Sequence, residues 1–94
     1  MFHCEFSARF VIPMVRVALA RELHSRGLSV TEIARLLETS PAAVSQYLSG
    51  KRGKEIPQDF IQDVKKLADR LTAGEDVSED LCTLCNRVRK KLSG

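Results

Sequence analysis

Apolar residues recur along this chain at intervals of three and four, and no stretch alternates in the period of two that a half-buried strand needs. Val15, Ala18, Leu19 and Leu23 predict a first helix that starts at Pro13 and stops at Gly27. Proline suits the first helical position, where a missing amide costs nothing, and glycine can take the left-handed conformation that closes a helix. Ser29 and Glu32 have capping-box spacing and open a second helix, with Ile33, Ala34, Leu36 and Leu37 on its apolar side. A third helix begins after Ser40 with Pro41 in first place, runs to Ser49 and stops at Gly50. Residues 51–56, KRGKEI, read as a polar basic loop. A fourth helix starts near Pro57, carries Phe60, Ile61, Val64, Leu67, Ala68 and Leu71 on one side, and ends before Gly74. The fifth starts after Asp76 or Ser78, either of which can cap it, and carries Leu81, Leu84, Val88 and Leu92. The pattern predicts an all-α fold, a compact bundle of about five helices.

Length and charge narrow this further. The 94 residues suit one domain, 1–94, whose small core is marginal unless a partner, a metal or disulfides assist it. The net charge of +3 says less than its distribution. Residues 1–50 hold five Arg against four Glu; Lys51, Arg52 and Lys54 then cluster; residues 57–80 hold seven acids and three bases; Arg87, Arg89, Lys90 and Lys91 turn the end basic. Such blocks exclude a coat of nucleic acid all round and allow one basic face. No run approaches the ~20 apolar residues of a membrane helix. The apolar run from Phe10 to Val15 is short, contains Pro13 and lies between Arg9 and Arg16, so it does not read as a signal peptide. A cytoplasmic location with reduced cysteines is the expectation. With two His, no phosphate-binding glycine loop and no paired nucleophile and base, the chain is not expected to be an enzyme.

Residues 29–50, SVTEIARLLETSPAAVSQYLSG, place two short helices around a tight turn near Glu38–Thr39. Ala34 must be small because the helices cross there, and Ile33, Leu37, Val44 and Leu48 fill the space between them. The outer face of the third helix could then enter a major groove. This segment resembles the helix-turn-helix of the lambda repressor and Cro group, the Xre-type regulators. The likeness covers residues 13–54 and rests on EIARLL followed by S-x-x-x-V-S-x-Y-L-S-G-K-R. The phrase CEFSARFVIPMVRVALARELHSRG, with a late C-x-x-C, is similar to a group of short archaeal regulators of that type.

The resemblance implies a lambda repressor-like helix-turn-helix core at 13–54 and a sequence-specific transcription regulator that binds double-stranded DNA as a homodimer. Its recognition helix would be 41–49. Ala42, Ser45 and Gln46 would face base edges, Gln46 pairing with adenine and Ala42 packing on a thymine methyl. Thr31, Ser40, Ser49, Lys51 and Arg52 would contact phosphates. Two positions depart from the family: Val30 stands where Gln often contacts phosphate, and Glu38 stands where the turn usually has Gly. If that turn needs a positive φ, Glu38 costs about 1 kcal/mol. The helical pair 57–92 is the expected dimer surface, because its apolar content exceeds the needs of a three-helix core. The competing reading is a protein-interaction module, an antitoxin or adaptor, served by the acidic stretch at 59–80. Tyr47 is expected to pack, His24 to face solvent at a helix end, and the cluster from Arg87 to Lys91 to be solvated or to touch DNA backbone.

Cys82 and Cys85, spaced i and i+3, can share one side of the fifth helix. With Cys4 from a folded-back N-terminal arm, they could hold an iron–sulfur cluster or zinc, with His3 as a fourth ligand. A cluster there would tie the arm to the helix and make the protein a redox or iron sensor. Equally, Cys85 beside the Leu81–Leu84–Val88 stripe reads as a small buried hydrophobe. The spacing leaves both open.

Overall fold

The computed structural model describes residues 11–49 and 56–93, with side chains for 13–49 and 56–91. Within them lie α1 (Val11–Ser25), α2 (Val30–Leu36), α3 (Pro41–Leu48), α4 (Ile61–Thr72) and α5 (Ser78–Ser93), and no strand. The all-α expectation with five helices holds. Helix α1 is apolar on more than one side. Met14, Val15, Val17, Leu19, Ala20 and Leu23 are all buried, which suits a helix enclosed by neighbours rather than one lying on a surface. It touches each of the other four helices: α2 pairs with α3, α4 with α5, and α1 packs on both pairs. The radius of gyration of 12.1 Å matches the value of about 12.4 Å for a compact globule of this length.

Three helices end by one device. At the close of α1, Gly27 has φ 94°, its amide donates to His24 O (3.0 Å), and Leu28 N donates to Leu23 O (3.3 Å). At the close of α4, Gly74 has φ 82°, with Gly74 N to Leu71 O at 3.1 Å and Glu75 N to Arg70 O at 3.0 Å. Both are Schellman endings, which satisfy carbonyls that would otherwise be orphaned. The end of α2 repeats the pattern with Glu38 at the left-handed position, φ 54°. The turn therefore does need the positive φ that glycine would supply without strain.

The starts follow the sequence with small shifts. Helix α1 begins at Val11, two residues before Pro13, which still lies in the first turn. A 3-10 turn, Gln58–Phe60, precedes α4 and is closed by Phe60 N donating to Pro57 O (3.0 Å). Asp76 Oδ1 accepts from Ser78 N (3.0 Å) and Ser78 Oγ (2.7 Å), so of the two expected caps Asp76 takes the first free amide of α5, and Ser78 is the helix's first residue.

One expectation loses its basis. Phe60, Val64, Leu67, Ala68 and Leu71 of the fourth segment, and Leu81, Leu84, Cys85 and Val88 of the fifth, are buried within the chain's own core. The apparent apolar surplus that suggested a dimer surface covers the second side of α1. Leu92 lies outside the described side chains.

Candidate functional site

Helices α2 and α3 are built by local signals. Ser29 and Glu32 form the capping box in both directions, with Glu32 N donating to Ser29 Oγ (3.2 Å) and Ser29 N to Glu32 Oε1 (3.4 Å). Ser40 Oγ accepts from Ala43 N (3.1 Å), and Pro41 fixes the first turn of α3. Ile33, Leu37 and Val44 are fully enclosed, and Ala34 is buried as a small crossing residue must be. Leu48 is only half-buried, and Val30 is half-buried against the core, so the valine at that position packs.

The inner side of α3 anchors it through Val44 and Tyr47; the tyrosine is 8% exposed, in keeping with packing. The outer side presents Ala42, Ser45, Gln46 and Ser49, all exposed, at i, i+3, i+4 and i+7. The three residues expected to read bases thus share one open face. None of the eight residues of α3 is charged.

The residues expected to touch phosphate are less uniform. Thr31 and Ser40 are exposed at helix starts. Ser49 Oγ donates its hydrogen to Gln46 O (2.8 Å), so a bond to phosphate, which only accepts, requires breaking that contact. Lys51 and Arg52 lie outside the described residues.

The charged surface elsewhere is largely satisfied internally. Arg87 pairs with Asp63 (3.3 Å) and sits 5.3 Å from the centre of the Phe60 ring, and Lys91 pairs with Asp59. Arg26 joins Glu22 (2.8 Å) and Asp69, tying the end of α1 to α4. Arg70 joins Glu75 (3.1 Å) and Asp80 across the α4–α5 connection. Five carboxylates of the acidic stretch, Asp59, Asp63, Asp69, Glu75 and Asp80, are therefore engaged inside the chain. His24 is exposed in the last turn of α1, as expected.

The cysteines divide. Cys82 is disulfide-bonded, against the expectation of reduced thiols, while Cys85 is a free, fully enclosed thiol. Burial pushes the Cys85 thiol up to about 11, and the positive charge of Arg16 draws it back in part. Arg16 was not singled out from the sequence, yet it is the one charge inside the apolar run VIPMVRVALA of α1, and its Nε is closed off from solvent. Cys4 and His3 lie outside the described residues. Among the described residues no three His, Cys, Asp or Glu side chains converge as a metal site.

No helix among the described residues is long and apolar enough to cross a membrane. Compared with known proteins, the chain matches no family model and has no significant likeness to a curated protein or a solved structure.

Proposed function

We propose that α2 and α3 act as a helix-turn-helix and that the chain is a sequence-specific DNA-binding regulator of transcription, with α3 in the major groove. The observation that carries this reading is the division of α3. One side is locked into the core by Val44 and Tyr47, and the other presents small and polar groups at helical spacing with no acid among them. A helix held in that way is a rigid reader, and the basic Lys51 and Arg52 follow it directly in sequence. Phosphate contacts supply most of the affinity of such proteins, and the groove-facing side chains supply the choice of sequence. Two copies on a palindromic site belong to the proposal, with recognition helices about 34 Å apart. The interface cannot draw on the buried stripes of α4 and α5.

Fluorescence anisotropy with labelled duplex DNA tests it. Binding should appear at low salt and weaken steeply as salt is added, and Ala42→Glu should abolish it while leaving the circular dichroism spectrum unchanged. A folded protein that binds no duplex at low salt would overturn the reading. The stoichiometry of the saturated complex reports whether two chains bind per site.

A further inference from the structure

Cys82 is disulfide-bonded and Cys85 is a free thiol. The chain has three Cys, so within a single chain the bond at Cys82 leaves one partner, Cys4. We propose that a Cys4–Cys82 disulfide staples the segment before α1 onto α5, and that its opening by a dithiol reductant is a redox switch of the bundle's stability. The link joins two sulfurs directly and needs no shared ligand.

Helix geometry explains why the bond does not close between Cys82 and Cys85. Side chains three apart on a helix hold their Cβ atoms about 5–6 Å apart, and a disulfide needs about 3.5–4.5 Å. Both positions lie inside α5, so joining them would distort the helix. Cys85 is also fully enclosed, in the core that holds Leu81, Leu84 and Val88. Burial holds its thiol up at about 11, so it supplies little thiolate to compete for the bond. Cys82 is half-buried, so solvent reaches it.

Reach allows the partner. Cys4 stands seven residues before Val11, the first residue of α1, and seven extended residues span at most about 25 Å. The smallest extent of the molecule is 23 Å, and α1 packs on α5. Because α1 also touches α2, α3 and α4, a bond at its entry restrains the whole bundle through one helix. Linking residues 4 and 82 closes most of the chain into one loop, the case in which a disulfide restricts the unfolded state most. Opening it takes two electrons. A thiolate of the reductant attacks one sulfur, forming a mixed disulfide and releasing the other as a thiolate that takes a proton. The reductant's second thiol then displaces the remaining cysteine, which leaves two protein thiols and an oxidised reductant.

Peptide mapping of the full chain, across glutathione buffers from reducing to oxidising, tests this. Free thiols are blocked with N-ethylmaleimide before digestion without reductant. Oxidised protein should give a Cys4–Cys82 linked peptide and a Cys85 that is blocked only after unfolding. Its thermal midpoint should fall by about 10 °C or more on reduction with dithiothreitol. Cys85→Ala should keep that shift, and Cys4→Ser and Cys82→Ser should lack it. A Cys82–Cys85 peptide, a link between two copies, or three free thiols throughout the series overturns the inference. So does a midpoint indifferent to reductant in protein that carries the Cys4–Cys82 link, since the bond would then restrain nothing.

Discussion

The backbone amide of Thr39 donates to the carbonyl of Ala34 across 2.9 Å, and this bond sets the conformation of the residue that joins α2 to α3. With Glu38 N donating to Arg35 O (3.3 Å), it completes a Schellman ending whose left-handed position is taken by Glu38 at φ 54°. An L side chain there costs about 1–2 kcal/mol relative to the right-handed region. Glu38→Gly should therefore stabilise the protein by about 1 kcal/mol, less what its side chain contributes, as read from denaturant midpoints. Gly27→Ala provides the converse. A Cβ at Gly27 meets nothing within 4 Å, so its cost of about 1 kcal/mol is one of backbone conformation alone. A destabilised Glu38→Gly would mean that the glutamate side chain outweighs the strain.

Local signals made much of this fold legible. The Ser29–Glu32 box, the Ser40 cap and the glycines at 27 and 74 act within five or six residues, and each stands where the sequence places it. The open face of α3 was legible for the same reason, since helical spacing alone sorts Ala42, Ser45 and Gln46 from Val44 and Tyr47. Pairings distant in sequence were not legible. Arg87 meets Asp63 across 24 residues and Lys91 meets Asp59 across 32, so two members of a cluster that is exposed, as expected, also pair with the acidic stretch. The supposed apolar excess of the fourth and fifth helices failed likewise. Its partner is the far side of α1, and one helix with two buried sides looks, in sequence, like a helix with a broad face. The disulfide at Cys82 has no signature in the C-x-x-C spacing, which suggested a shared ligand.

Ser40 has two assignments that a pair of substitutions separates. Its oxygen caps α3, so Ser40→Ala should cost about 1 kcal/mol of stability. Aspartate caps as well as serine, so Ser40→Asp should keep the stability. If Ser40 also faces a phosphate, the new carboxylate should weaken duplex binding at least tenfold in a protein as stable as the parent. Equal binding by Ser40→Asp and the parent would confine Ser40 to its capping role.

The Cys85 thiol makes stability depend on alkaline pH. Its folded value of about 11 exceeds the 9.0 of an ordinary thiol because burial disfavours the thiolate. Between those values the unfolded chain has released a proton that the folded chain retains, so the slope of stability against pH is negative. The contribution is whole below 9.0 and is lost as pH rises towards about 11. Thermal midpoints measured from neutral to strongly alkaline pH, in buffer that leaves the Cys82 disulfide intact, should fall more steeply for the parent than for Cys85→Ala. Parallel curves would show that other groups cause the alkaline loss.

The two basic segments should differ in their effect on DNA. Arg87 and Lys91 already face Asp63 and Asp59, so bringing them to phosphate means giving up those partners and leaving two carboxylates near a polyanion. Arg87→Gln and Lys91→Gln should leave duplex affinity within about twofold, since rim charges that contact no phosphate release no counterions. Lys51→Gln and Arg52→Gln should each weaken binding to all sequences alike and reduce the slope of log affinity against log salt by about one, the signature of one lost phosphate contact. Anisotropy titrations at several salt concentrations separate the two cases. A reduced slope for Arg87→Gln or Lys91→Gln, with none for Lys51→Gln or Arg52→Gln, would place the end of α5 and not the segment after α3 on the DNA backbone. The bound molecule would then have to be docked the other way round.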